Sequence, residues 1–336
     1  MKDLPKISII TPSYQQADFL EETIKSVLDQ GYPDLEYIII DGGSTDGSVD
    51  IIKKYEEHLH YWVSEKDNGQ SDAINKGLEQ SSGKVFNWLN SDDRLAQGAL
   101  NRVGEAFAAD PDLVCFGGQI HHFDEKGSKL FNMLNDPSDL EQMYCDPVIN
   151  QMATFYNADV ARSCGVNSSL HYAMDLYLWL NVLFEHGTAK MKFVHEHLAD
   201  FRLHKDQKTE AGSSLFVSDT ANILAGMAID VQEEELAEIL LIGHEMNDNY
   251  KNSIQVFSEH KKILFKMIVH FMLKWHHKIY TAEELQMMKA FVQWVESKGI
   301  SIPEMHTQRF ENVKEASKAS NWLTFRLKRK MKHLGS

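Results

Sequence analysis

The feature that most constrains this chain is a series of short apolar runs that alternate with helical patterns. Ile7-Ser8-Ile9-Ile10 closes on Thr11-Pro12-Ser13, and Tyr37-Ile38-Ile39-Ile40 closes on Asp41; Tyr61-Trp62-Val63 and Lys84-Val85-Phe86-Asn87-Trp88-Leu89 follow. Runs of this length bounded by turn residues predict buried strands. Between them Phe19, Leu20, Ile24, Val27 and Leu28 recur at helical spacing, as do Val49, Ile51, Ile52 and Tyr55, and Asp72 to Leu78 predicts a short helix. Alternation at this rate predicts an α/β fold of βαβ units, with a mostly parallel sheet flanked by helices. Right-handed crossovers then bring the strand ends to one sheet edge. That edge would collect Thr11, Ser13, Tyr14, Asp41, Glu65, Asp67, Asn90, Asp92 and Asp93. Polar residues gathered there mark the ligand crevice of an open α/β sheet.

Further on, the pattern predicts a helix over about Gly98 to Ala108 and a strand over Leu113 to Ile120. Residues 124 to 150 read as irregular, with a loop at Asp124-Glu125-Lys126-Gly127. A strand over Gln151 to Tyr156, helices over Ala158 to Cys164 and Ala173 to Phe184, and a last strand over Phe193 to Leu203 complete this part; Lys205 to Ser214 is polar and loop-like. From about Val217 only helical patterns follow. A length of 336 residues fits about two domains. The division expected is an α/β domain over 1–215 and an all-helical region over 216–336.

A net charge of −15 argues against a general nucleic-acid binder. The charge is uneven, however: Lys318, Arg326, Lys328, Arg329, Lys330 and Lys332 have no acid among them. Lys262, Lys266, His270, Lys274 and Lys278 recur four apart in an otherwise apolar segment. That segment is either a bundle helix with a solvated stripe or a basic helix lying on a membrane surface. The tail from Trp322 to Lys330 repeats this chemistry, which keeps peripheral membrane contact through the C-terminal basic helices open. No apolar run is long and clean enough to span a bilayer. Cys115, Cys145 and Cys164 lack metal-ligand spacing and fit reduced thiols. With no signal-peptide pattern before the first strand, the expected location is cytoplasmic, at the inner face of the cell membrane if the tail makes contact. His121-His122 and His276-His277 read as surface residues; adjacent histidines on a strand point to opposite faces and rarely chelate one ion.

Two motifs carry chemistry. Asn90-Ser91-Asp92-Asp93 offers hard oxygen ligands for Mg²⁺ or Mn²⁺, an ion that would bring a diphosphate with it. The competing reading is that Ser91, Asp92 and Asp93 only end the strand and cap the next helix. Asp41-Gly42-Gly43-Ser44-Thr45-Asp46-Gly47-Ser48 joins a strand end to a helix start. It is neither a Walker loop nor a Gly-x-Gly-x-x-Gly turn. Its glycines permit a tight turn, Asp46 or Thr45 can cap the helix, and Asp41 stands where a carboxylate can accept from the N–H groups of a base.

Taken in order, these segments resemble the inverting glycosyltransferases of family 2, which have the nucleotide-sugar-binding GT-A fold. Ile7 to Tyr14 resembles the family's first strand and nucleotide-contacting turn, and Ile40 to Gly47 its Asp-Asp/Gly-Gly-Ser-Thr-Asp-Gly signature, in which the acid matching Asp41 contacts uracil. Ser64 to Gly77 resembles the strand-three acid and the Asn-Lys-Gly helix, and Trp88-Leu89-Asn90-Ser91-Asp92-Asp93 the Asp-x-Asp metal motif. Asn90 stands in place of the first acid, which makes Asp92 the expected metal ligand, with Asp93 or His204 beside it. Met174 to Leu180 resembles the Glu/Asp-Asp-x-Asp-Leu-Trp-Leu segment and sets Asp175 at the catalytic aspartate, although Met174 and Tyr177 stand where acids are common. A lone carboxylate in an apolar helix start is costly unless paired or used; otherwise it is a solvent-facing cap. Phe201 to Thr209 resembles the Arg-x-His-x-x-Ser-x-Thr loop, with Gln207 in place of serine and His204 as metal ligand, phosphate donor or purely structural group. The resemblance covers about residues 5 to 210.

It implies transfer of a sugar from a nucleotide-diphosphate donor, UDP-linked in the first instance, to a hydroxyl of a glycan, lipid-linked or protein acceptor, with Mn²⁺ or Mg²⁺ as cofactor. Thr11, Ser13, Tyr14, Asp41, Glu65, Asp67, Asn90 and Ser91 would hold the donor, Asp92, Asp93 and His204 the metal, and Asp175 would act as base. Cell-surface glycan or polysaccharide synthesis is the expected setting. Two other classes stay open: a non-catalytic nucleotide-sugar-binding or assembly protein, and a nucleotidyltransferase. The latter expects a basic, Gly-rich loop after the first strand, which Thr11-Pro12-Ser13-Tyr14-Gln15-Gln16 lacks.

Overall fold

A computed structural model describes residues 3–124, 126–204, 213–244 and 254–327. The chain divides into two compact units. The first runs to Met143 and again from Pro147 to Ser213; the second comprises Tyr144–Asp146 and the chain from Ser214.

The first unit opens β1 (Ile7–Ser13), α1 (Ala17–Leu28), β2 (Leu35–Asp41), α2 (Ser48–Lys54), β3 (Tyr61–Ser64), α3 (Gln70–Gln80) and β4 (Val85–Trp88). Next come β5 (Arg94–Leu95), α4 (Ala99–Ala109), β6 (Cys115–Asp124), β7 (Gly127–Phe131) and α5 (Leu140–Cys145), whose last two residues count with the second unit. It closes with β8 (Thr154–Asn157), α6 (Ala158–Cys164), α7 (Met174–His186) and β9 (Met191–Arg202). Among the described residues nine strands form one mixed sheet, ordered β3-β2-β1-β4-β8-β6-β9-β5 with β7 on β6. β3, β2, β1 and β4 run parallel. β8 lies antiparallel between β4 and β6, and β9 runs parallel to β6.

Period two decides what each sheet face packs against. Ile7, Ile9, Tyr37 and Ile39 are buried in one cluster with Leu20, Ile24 and Val27 of α1 and Ile52 of α2. Each such aliphatic side chain contributes roughly 1.5–3 kcal/mol on full burial. α3 packs on β1 and β2, and it comes close only because residue 77 is glycine. A Cβ there would lie 2.5 Å from Cγ2 of Ile10. Register then aligns Ser13 with Asp41 and Asp41 with Ser64, so three strands end in one row.

Residues 124–150 are more regular than their pattern suggests. β7 pairs with β6 as a hairpin, but its Gly-Ser-Lys start is exposed and it has only one partner, so no alternating apolar signal exists to read. β5 is only two residues long, and β8 starts at Thr154 after a single 3-10 turn over Gln151–Ala153.

The second unit contains α8 (Ser213–Asp230), α9 (Glu234–Leu240), α10 (Lys261–Trp275), α11 (Ala282–Lys298) and α12 (Thr307–Ser317). In α10, Leu264 and Met267 to Leu273 are buried while Lys262, Lys266 and Lys274 are exposed, as a packed helix with a solvated stripe would have it. His270 departs from that stripe: it is buried, and its Nδ1 lies 2.9 Å from His306 Nε2. His276 is buried too, against the surface position expected for it, because it packs against the rings of Phe271 and His244. α11 opens with a capping box between Thr281 and Glu284. Among the described residues no helix is long and apolar enough to cross a membrane. Gln207 and the basic residues from Lys328 onward lie outside the described residues.

Candidate active site

The row of strand ends is organised by Asp41. Fully buried, its Oδ2 accepts from the backbone N–H groups of Gly43 (3.1 Å) and Ser44 (2.8 Å) and from Ser64 Oγ (2.6 Å), while Oδ1 accepts from Ser44 Oγ (2.6 Å). The carboxylate thus folds the loop and fastens β2 to β3. Asp46 does similar work one turn later. Its Oδ1 caps Ser48, and its Oδ2 accepts from Ala17 N, the first helical amide of α1. Beside this loop, Gly42 lets Asp67 approach: a Cβ would stand 2.9 Å from Asp67 Oδ2. Asp67 Oδ1 in turn accepts from Gly69 N at 2.9 Å, which sets the start of α3.

The first turn of α3 reaches two ways. Gln70 donates to Asn90 Oδ1 at 2.8 Å, and Asn90 donates to Asp93 Oδ2 at 3.3 Å. Asp93 is buried, and its Oδ1 accepts from Arg202 N at 3.0 Å. Burial, reinforced by the neighbouring Asp92 charge, pushes its carboxyl well above the usual carboxylate range. Asp92 turns outward to His204, with 2.9 Å between Oδ2 and Nε2, and the His204 ring packs on Phe19. In the other direction, Ser71 Oγ donates to Leu170 O at 2.8 Å and lies 3.4 Å from Met174 Sδ. Asn75 and Val166 exchange a pair of hydrogen bonds next to it. One helix turn therefore joins the Asn90–Asp93 loop to the segment that starts α7.

Asp175 lies in the first turn of α7 and is half-buried, with Leu176 N donating to its Oδ1 at 2.8 Å. Desolvation outweighs that hydrogen bond and raises its pKa to about 6. A carboxylate so poised is ionised at neutral pH yet basic enough to take a proton.

The other expected residues take varied positions. Thr11 is fully buried, its hydroxyl 3.0 Å from that of Tyr37. Ser13 is buried, with no hydrogen-bond partner for Oγ among the described residues. Tyr14 is 62% exposed beside Gln15, a non-glycine residue at φ +54°. Glu65 pairs with Lys76 at 2.9 Å on the surface. Ser91 is buried, and its carbonyl accepts from Thr23. Arg202 stands in the Phe201–Thr209 segment and Gln70 in the Ser64–Gly77 segment already singled out, whereas Glu22 carries no signal of its own in the pattern. Arg202 donates through Nε to Asp92 O at 2.8 Å and through its guanidinium to Glu22. Glu22 is four residues from Ser26 on α1, and nothing local distinguishes it from a solvated helix acid.

A mixed sheet of this order, with carboxylates at its parallel strand ends and another at a helix start tied to them, is a GT-A fold. The family model for glycosyl transferase family 2 matches residues 8–165. A Bacillus subtilis (strain 168) glycosyltransferase, TuaG, assigned to teichuronic acid biosynthesis, is 32% identical over 205 residues, 59% of this chain and 79% of that protein. A Campylobacter jejuni protein named GalNAc(5)-diNAcBac-PP-undecaprenol beta-1,3-glucosyltransferase is 25% identical over 63% of this chain and 69% of its own. Among solved structures, residues 1–349 of S. aureus TarS, in complex with UDP, match at TM-score 0.64 and 14% identity, covering 98% of this chain and 92% of that one. The chain belongs to glycosyl transferase family 2.

Proposed function

We propose that this glycosyltransferase moves a sugar from a UDP-linked donor to a hydroxyl acceptor with inversion, using a divalent metal and Asp175 as base. The observation that carries the reading is the first turn of α3, which holds Asn90 on one side and the approach to Asp175 on the other. The donor set at Asp92 and His204, one carboxylate and one imidazole, suits Mn²⁺ or Mg²⁺ completed by phosphate oxygens. Asp92 Oδ2 and His204 Nε2, 2.9 Å apart, are the atoms that would hold the ion. When bound, such an ion neutralises the charge on the departing diphosphate.

The protein's own groups do the rest. The loop built on Asp41, with Ser13 and Tyr14 beside it and Thr11 beneath, would seat the nucleoside; Glu65, Asp67, Asn90 and Ser91 line the way to the phosphates. Asp93, buried and engaged by Arg202, acts as the strut that fixes Asp92. Asp175 takes the proton of the acceptor hydroxyl as its oxygen bonds to the anomeric carbon, while the bond from that carbon to the diphosphate oxygen breaks on the opposite face. No covalent sugar intermediate is required.

The names of the relatives support a glycan or lipid-linked acceptor over a protein one. A cytoplasmic position with peripheral contact at the inner membrane face is supported by Leu323 and Leu327, 67% and 55% exposed beside Arg326. Loss of liposome binding on deleting residues 318–336 is expected; unchanged binding would leave that segment as packing. The main test is turnover of nucleotide-sugar donors by wild type and Asp175→Asn, each with Mn²⁺ or EDTA. Activity confined to wild type with metal supports the proposal, and equal rates in all four arms would overturn it.

A further inference from the structure

We propose that His121, His197 and Asp200 form a second metal site, selective for Zn²⁺ or a similar borderline divalent ion and distinct from the Asp92–His204 pair. His121 lies on β6 opposite Asp200 of the parallel strand β9. In a regular strand His197 and Asp200, three residues apart, would point to opposite faces. The pairing shifts register between Gln119 and Ile120, whose partners on β9 are His197 and Ala199. The extra residue on β9 is a bulge, and it turns both side chains to one face. Neither His121 nor His122 is then the plain surface residue that the sequence suggests: both are half-buried.

The three side chains converge on one oxygen. His197 Nε2 lies 2.8 Å from Asp200 Oδ1 and His121 Nδ1 lies 3.6 Å from that same atom. The imidazoles stack at 3.7 Å between centroids, and one donor atom from each residue fits within a 4.8 Å group. A structural ion pair would need only one of the two rings. The second contact is beyond hydrogen-bond distance, and two protonated rings stacked this closely would repel each other. An ion between neutral rings and the carboxylate accounts for the convergence of all three. Tetrahedral ligands on Zn²⁺ stand about 3.3 Å apart for bonds near 2.0–2.1 Å, so binding would spread the two stacked rings and open the His197–Asp200 contact.

Asp200 is also oriented for the task. Its other oxygen, Oδ2, accepts from Arg94 at 2.9 Å, which leaves Oδ1 toward the histidines. Arg94 pairs in turn with Glu22 at 2.5 Å, a carboxylate that it shares with Arg202. A buttressed carboxylate of this kind fixes ligand direction and raises metal affinity. Two imidazoles and one carboxylate with a fourth position open to water is a zinc donor set, and nitrogen-rich sites favour Zn²⁺ over Mn²⁺ or Mg²⁺.

The test is calorimetric titration of the full-length, metal-free protein with ZnCl₂, comparing wild type, Asp92→Asn, His197→Gln and His121→Asn. Retention of one tight equivalent in Asp92→Asn is expected, with affinity lowered about 100-fold or more in each histidine variant. Co²⁺ loading gives a second readout: visible absorption of a low-coordinate ion in Asp92→Asn, absent from His197→Gln. Thermal unfolding without metal checks that each variant folds, and two separate histidine variants guard against the loss of one. Absence of Zn²⁺ binding in Asp92→Asn, or unchanged binding in both folded histidine variants, would overturn the site.

Discussion

Gln70 donates its side-chain amide to Asn90 Oδ1, and this turns the amide nitrogen of Asn90 toward Asp93 Oδ2 at 3.3 Å. Asparagine at position 90 thus donates to a buried acid and adds no further negative charge beside it. Asn90→Asp would set a second carboxylate against Asp93 in a region already crowded with negative charge. We expect a loss of about 1–3 kcal/mol in EDTA, measured by denaturant unfolding at neutral pH. Saturating Mn²⁺ should restore much of that loss, because a cation offsets the added charge. Equal stability of the two proteins in EDTA would argue against this account of residue 90.

Asp175 makes a pH-dependent prediction with a definite sign. Its folded pKa, about 6, lies above the ordinary 3.8 because desolvation favours the neutral form. Its contribution to stability is therefore fully present below pH 3.8 and is lost as pH rises through about 6. Asp175→Asn removes the buried charge, so it should be more stable than wild type at pH 8, by the order of 1–3 kcal/mol, and near parity at pH 4. Activity should move the other way, falling about 10²–10⁴-fold. Wild-type kcat/KM should decline below about pH 6 as the carboxylate protonates. Paired melting curves at the two pH values, with a pH–rate profile, check both halves.

Much of this was legible in the chain because β1, β2 and β4 are buried on both faces. Ile38-Ile39-Ile40 reads as a buried strand, and it ends at Asp41 in the row of strand ends. What the pattern does not carry are relations across long separations. The β9 bulge that brings His197 and Asp200 together involves no unusual residue. Glu22 meets Arg202 across 180 positions, and an isolated helix acid advertises no such partner. Thr11 and Asp93 illustrate the converse. Both are at strand ends, where a ligand contact is expected, but packing depth turns their polar atoms inward to Tyr37 and to Arg202 N.

The Asp92–His204 pair predicts metal-linked stability. An ion bound only by the folded state stabilises it by about 2.7 kcal/mol at 100 times its dissociation constant. Wild type should therefore melt at a higher temperature in saturating Mn²⁺ than in EDTA. His204→Ala and Asp92→Asn should each lose most of that increment while keeping a cooperative transition. Persistence of the full increment in both variants would move the Mn²⁺ site elsewhere.

Gly77 tests whether the position of α3 controls the site. In an exposed helix interior, Gly→Ala gains about 1 kcal/mol from propensity alone. Here the added methyl would meet Ile10 Cγ2 at 2.5 Å, with Cγ1 and Cδ1 both at 3.1 Å, and overpacking of that kind costs about 1–3 kcal/mol. The clash should win, so Gly77→Ala is expected to lower stability despite better helix propensity. Ile10→Ala removes the obstructing atoms; the double variant should be more stable than the sum of the two single losses, a coupling a folding cycle measures. Because α3 carries Gln70 and Ser71, displacement should also lower kcat/KM, and a Gly77→Ala protein with unchanged melting and turnover would show that the helix does not need this close approach.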